Sequence, residues 1–96
     1  MIVSYDSDKR IEVSEEIYWK RLKYYDALLY CSMMVIDEKD NWRMIKDRDE
    51  EDRIWCEYIK NGMFPKMYES HWIWREDVNV RMKENNTCLI VPVRDI

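Results

Sequence analysis

The chain has one glycine, two prolines, one phenylalanine and one histidine in 96 residues, and each scarcity removes a class of chemistry. One glycine cannot build the glycine-rich loop whose backbone wraps a phosphate. So little glycine and proline also leaves no flexible linker, so a single domain spanning residues 1–96 is expected, its core burying roughly two-thirds of the surface the unfolded chain would expose. With His71 as the lone histidine, acid–base or nucleophilic catalysis would have to run through it with Glu69, Ser70 or a distant cysteine, and no neighbour in sequence orients it. No catalytic residue, cofactor or enzymatic activity is expected.

The cysteines are three, Cys31, Cys56 and Cys88, an odd number without Cys-x-x-Cys spacing, which suits neither a disulfide framework nor a zinc site. Reduced thiols in a cytoplasmic compartment are the expectation. No apolar run approaches the ~18 residues of a membrane span, and the N-terminus has no signal-peptide core. Membrane association is not expected, and the formal glycosylation triplet Asn85-Asn86-Thr87 reads as a turn. A net charge of -4 opposes direct binding of nucleic acid, whose affinity rests on cations meeting phosphates. The local basic run Lys20-Arg21-Lys23 reads as a solvated helix face.

Apolar mass and charge are what the chain has in quantity: 47% hydrophobic and 38% charged residues, with five tryptophans, seven tyrosines and seven methionines. The expected fold is α+β, a small domain of two helices packed on short antiparallel strands and hairpins. Ile2 to Tyr5 and Arg10 to Val13 flank the turn-rich Asp6-Ser7-Asp8-Lys9 and predict a hairpin. Ser14 followed by Glu15 and Glu16 predicts a helix start, with one broad buried face made of the stripe Tyr18, Leu22, Tyr25, Leu29 and Met33 and the flanking Ile17, Tyr24, Leu28 and Cys31. Val35-Ile36 and Trp42 to Ile45, separated by Glu38-Lys39-Asp40-Asn41, predict a second strand pair.

The stretch from Asp47 to Asp52 holds five acids in six positions. Asp49 reads as the capping residue, Glu50, Glu51 and Asp52 as the acidic first turn, and Ile54, Trp55, Tyr58 and Ile59 as the apolar stripe of a second helix. Gly62 falls where a left-handed stop residue is needed, and Pro65 prevents resumption. A calcium loop built on Asp47, Asp49 and Glu51 lacks its glycine and its closing bidentate acid, so no metal is assigned. Residues 66–77 take no assignment. Val78, Val80 and Met82 alternate with polar residues ahead of the apolar run Cys88 to Val93, predicting a terminal β-hairpin with Pro92 at an edge.

The aromatic count exceeds what so small a core needs, and aromatic side chains dominate binding hot spots. Trp72 and Trp74 with Tyr68 are therefore expected to form a contact patch, rimmed by acids that select a partner with a basic surface; the alternative is that Trp72 and Trp74 cover the terminal hairpin while Trp19, Trp42 and Trp55 fill the core.

Two stretches together resemble a BTB/POZ domain of the potassium-channel tetramerisation or Skp/elongin C type. One is "MIVSYDSDKRIEVSEEIYWKRLKYYDALL", a strand hairpin running into a helix; the other is "DRDEEDRIWCEYIKNGMFP". The resemblance covers roughly residues 1–68. The family's phenylalanine is replaced around Arg53-Ile54, and a predicted hairpin stands where the family has closing helices. It implies a non-enzymatic intracellular adaptor or self-associating module, with Tyr24, Tyr25 and Leu28 and then Trp55, Tyr58 and Ile59 as the positions of interest. The alternative is a phage- or virus-encoded acidic inhibitor of the anti-CRISPR or anti-restriction type, in which Asp47, Asp49, Glu50 and Glu51 mimic phosphates in a host enzyme's basic groove.

Overall fold

The N-terminal hairpin forms where turn chemistry and strand patterning place it. In the computed structural model, which describes residues 1–6, 8–63 and 72–96, β1 (Ile2–Asp6) pairs antiparallel with β2 (Lys9–Val13), Val3 opposite Ile11. Val3, Ile11 and Val13 point inward, as the two-residue period of a half-buried strand requires. β5 (Val93–Asp95) joins the other side of β2 and completes a three-stranded sheet in the order β1-β2-β5. Arg94 lies directly opposite Glu12 in that register and donates to its Oε1 at 2.8 Å, a cross-strand pair of the kind that stabilises sheets.

The helix expected from Ser14 does not start there. One 3-10 turn (Glu16–Tyr18) is followed by β3 (Lys20–Lys23), and only then by α1 (Tyr24–Met33). Tertiary pairing overrides the local pattern. The Ser14 N–H donates to the Pro92 carbonyl, its own carbonyl accepts the Trp19 indole N–H, and β3 is taken up by β4 (Thr87–Ile90), with Leu22 opposite Cys88. Lys20, Arg21 and Lys23 are exposed, but on a strand rather than a helix. The later start also turns the helix. Tyr24, Ala27 and Cys31 are buried, whereas Tyr25, Leu29 and Met33 of the expected stripe face outward.

The expected second strand pair is replaced by a tight turn and a bridging segment. Asp37 and Glu38 both have positive φ, and Ile36 and Lys39 exchange backbone hydrogen bonds across them. This is the geometry of a two-residue reversal. Trp42 to Ile45 then runs alongside other elements instead of back onto Val35-Ile36. Arg43 exchanges two backbone hydrogen bonds with Val93, and Ile45 bridges to Arg75. The edge of β5 supplies a better partner than two isolated residues do.

α2 (Arg48–Lys60) is capped by Asp47, two positions before the expected Asp49, and the Asp47 carboxylate accepts the Glu50 N–H at 2.9 Å. Its C-terminus closes as expected at Gly62, φ +68°. The Gly62 N–H donates to the Ile59 carbonyl and the Met63 N–H to that of Tyr58, the paired bonds of a Schellman stop. Pro65 and Tyr68 lie outside the described residues.

The expected strand at Val78 to Met82 is instead α3 (Val80–Asn85), started by the Asn79 side chain, which accepts the Met82 N–H at 2.8 Å. Capping of a single turn outweighs a short alternating pattern. The expected hairpin of Val78 to Met82 with Cys88 to Val93 therefore does not form. β4 pairs with β3 and β5 with β2, and the buried Val91-Pro92 link carries the chain from one sheet to the other.

Two apolar cores result. One lies between the three-stranded sheet and α2; the other lies under α1 and α3. Three extended segments divide them, and each alternates between the two. Leu89 and Val91, Ile45, and Ile73 face the first core, while Cys88 and Ile90, Met44, and Trp74 face the second. An extended segment walled by core on both faces reads as continuously apolar, and "CLIVPV", running from β4 through the Val91-Pro92 link into β5, is such a segment. The α+β class holds throughout.

Candidate binding surface

The aromatic residues singled out from the sequence divide between interior and surface. Trp55 and Tyr58 are buried with Trp19 in one cluster of rings, centroids 5.6 to 6.1 Å apart. Burial pushes the Tyr58 hydroxyl up to about 12, with Glu16 adding to it. Tyr24 packs edge-on against Trp74 at 5.3 Å, and the Trp74 indole donates to the Leu22 carbonyl at 2.6 Å. These four are core side chains, and the expectation that they meet a partner is corrected. The Trp72–Trp74 patch fails for the same reason: Trp74 fills the second core while Trp72 stands 78% exposed, and the two do not share a surface.

The acid cluster is largely committed inside the protein. Glu50 is buried and accepts both terminal nitrogens of Arg43, at 2.7 and 2.9 Å, together with the Lys46 N–H. Arg43 reaches on to Asp95, at 2.8 and 3.1 Å, so one guanidinium ties the start of α2 to β5. That hydrogen bonding holds the Asp95 carboxyl below its ordinary value, and the two carboxylates raise Arg43 against the opposing effect of burial. Glu51 accepts the Trp55 indole N–H and lies 3.6 Å from Arg75. Burial nonetheless raises its carboxyl. Asp47 is the helix cap, and Asp49 pairs with Arg53 one turn on, at 3.1 Å. Of the four acids expected to mimic phosphate, Glu50 is withdrawn from the surface; only Asp49 is a fully exposed side chain.

The surface the structure offers is elsewhere. Tyr25, Leu29 and Met33 recur every fourth residue along the outer face of α1, 65%, 58% and 71% exposed, and Val35 continues beyond the helix at 66%. Beside them opens a groove of about 480 Å³, lined chiefly by Leu22, Leu29, Tyr30, Met33, Met34 and Ile36, with Asp26 its one charged residue. The floor is fixed by the Tyr30 hydroxyl donating to the Tyr18 carbonyl at 2.7 Å, and burial raises the Tyr30 hydroxyl above its ordinary value. A second cleft, of about 460 Å³, mixes Lys9, Arg10, Arg43 and Lys46 with Asp8, Glu76 and Asp95, so its charges nearly cancel. No family model, curated protein or solved structure matches this chain.

Of the sequence-derived candidates among the described residues, Tyr25 and Trp72 are the exposed aromatics, and only Tyr25 stands on α1. Leu29, Met33 and Val35 were not among the candidates. Their signal was present, because α1 carries two apolar stripes, Tyr24-Ala27-Cys31 and Tyr25-Leu29-Met33. A helix that is apolar on two faces needs a second thing to pack against. Among the described residues no group of three His, Cys, Asp or Glu side chains converges on a metal position, and no helix is long and apolar enough to cross a membrane. His71 lies outside them.

Proposed function

We propose that the protein is a non-enzymatic protein–protein interaction module, a cytoplasmic adaptor or self-association domain of the BTB/POZ kind that residues 1–68 resemble. The observation that carries the reading is the exposed apolar face of α1 with its adjoining groove. Scattered apolar side chains on a surface are ordinary, but an apolar helix face continuous with an apolar groove marks an interaction site. Aromatic and methionine side chains suit that role because they offer large, adaptable contact area. The free state of all three cysteines, two of them buried, supports a reducing compartment.

The test is capture of partners with tagged wild-type protein and with Leu29→Glu and Met33→Glu. Both positions are well exposed, so the variants should keep the wild-type circular dichroism spectrum and lose the partner. Trp72→Ala, on another surface, should keep it. Full capture by the two α1 variants would remove this reading.

A further inference from the structure

The only glycine of the chain, Gly62, follows Asn61, and this pair has a chemistry of its own. The Gly62 backbone nitrogen, with no side chain beside it to hinder approach, can attack the Asn61 Cγ once hydroxide has taken its proton. The N–Cγ bond forms, the Cγ–Nδ2 bond breaks, and ammonia leaves as water returns the proton, giving a five-membered succinimide. Water then opens one of the two imide carbonyls. One opening leaves aspartate; the other leaves isoaspartate, with the backbone rerouted through the side chain. The sum is one water taken up and one ammonia lost, with no oxidation or reduction.

In the folded chain the pair is reached by water but held out of reaction. Asn61 and Gly62 are both exposed. Ring closure needs the Gly62 nitrogen to eclipse the Asn61 Cβ, whereas an Asn61 ψ of 6° aligns it with the Asn61 backbone nitrogen, about 120° of rotation away. Both reacting groups are also engaged. The attacking N–H donates to the Ile59 carbonyl at 3.0 Å, and Nδ2 of the leaving amide donates to the Glu57 carbonyl at 2.9 Å. The Met63 N–H, donating to the Tyr58 carbonyl at 2.9 Å, closes the same stop. Turning ψ to the reactive value breaks these bonds, so the last turn of α2 must open first.

We infer that Asn61 is a self-modification site, with water as its co-substrate, gated by the stop of α2: the succinimide forms only when the last turn opens, and the product leaves that turn less able to close. Both products oppose closure. Each places a negative charge at the C-terminal end of the helix dipole, four residues from Glu57, a like-charge spacing that destabilises a helix. Each also loses the amide that donates to the Glu57 carbonyl. Isoaspartate adds one carbon to the backbone between the residues whose N–H groups make the stop. The turn carries Tyr58, packed against Trp19 and Trp55, so the first core registers the change. Helix ends open far more readily than a whole fold, which makes the site a one-way record of that opening.

The experiment is to age the protein at mildly alkaline pH, folded and in urea, and to weigh its proteolytic peptides over time. The peptide holding Asn61 should gain the mass of an amide-to-acid exchange, split between aspartate and isoaspartate. In the folded protein the change should be about tenfold slower than in urea, as for a turn open about a tenth of the time. Asn61→Gln should remove it from this position. Lys60→Gly, which loosens the last turn without touching either reacting group, should raise the folded rate roughly threefold and leave the rate in urea unchanged. Aged wild type and Asn61→Asp should both unfold at lower urea by tryptophan fluorescence. Equal rates folded and in urea overturn the gating, as does a Lys60→Gly rate that does not rise. Another asparagine reacting first in urea overturns the site, and an unchanged urea midpoint in both aged protein and Asn61→Asp overturns the effect on α2.

Discussion

α1 and α2 are of similar length but are held in place by different means. α2 has a side-chain cap in Asp47, an acidic first turn, a buried stripe of Ile54, Trp55 and Tyr58, and a glycine stop. α1 follows β3 directly, receives no side-chain cap from Lys23, and buries the small Ala27 and Cys31 beside Tyr24 while presenting Tyr25, Leu29 and Met33 outward. α2 uses its apolar side chains internally. α1 has more of them than the interior takes, and its position depends on what it rests against. The contrast shows that local helix signals and a helix's role in the molecule are separate matters.

The largest test of that contrast is Trp74→Ala. It removes the ring beneath Tyr24 and the indole bond to Leu22, and should cost about 3–5 kcal/mol in urea unfolding, a large part of the stability of a domain this size. Glu50→Ala comes next, at about 2 kcal/mol: it leaves the start of α2 without its anchor, although Arg43 keeps Asp95. Asp47→Ala should cost about 1 kcal/mol, while Lys23→Ala, at the equivalent position of α1, should change stability by less than about 0.5 kcal/mol. Equal costs at the two caps would erase the distinction between the helices.

The smallest effect is on pH dependence. Asp95 is held below the ordinary aspartate value of 3.8 by Arg43. Glu12, though burial opposes it, is held below 4.5 by Arg94 and Lys39. A depressed carboxyl stabilises the fold above its unfolded value and loses that contribution as pH falls through its folded value. The urea midpoint should therefore decline below about pH 4, and Asp95→Asn should flatten part of the decline. A profile identical to wild type would mean that the Asp95 contact with Arg43 contributes nothing in solution.

Much of this was legible before the structure. The N-terminal hairpin and the body of α2 follow from signals within a few residues of each other: turn residues between alternating strands, acids at a helix start, Gly62 at its end. The start of α1, the fate of Trp42 to Ile45 and the helix at Val80 were not legible, because each is decided by partners far along the chain: β4, Val93 and the second core. The candidate surface was half legible. Tyr25 was named, but the same periodicity that marked Leu29 and Met33 as apolar also marked them as buried, and Trp74 was read as surface when it is core.

Composition and local pattern by themselves determined the α+β class, the stop at Gly62, the absence of a glycine-rich phosphate loop and an aromatic content large for so small a chain. These depend on residue type and short spacing, which do not change with the rest of the fold. Only the tertiary structure decided which face of α1 is inward and which acids are consumed in ion pairs. Three extended segments alternate between two cores, and an alternating or continuously apolar run does not reveal which side of the wall each residue will occupy until the other segments are in place.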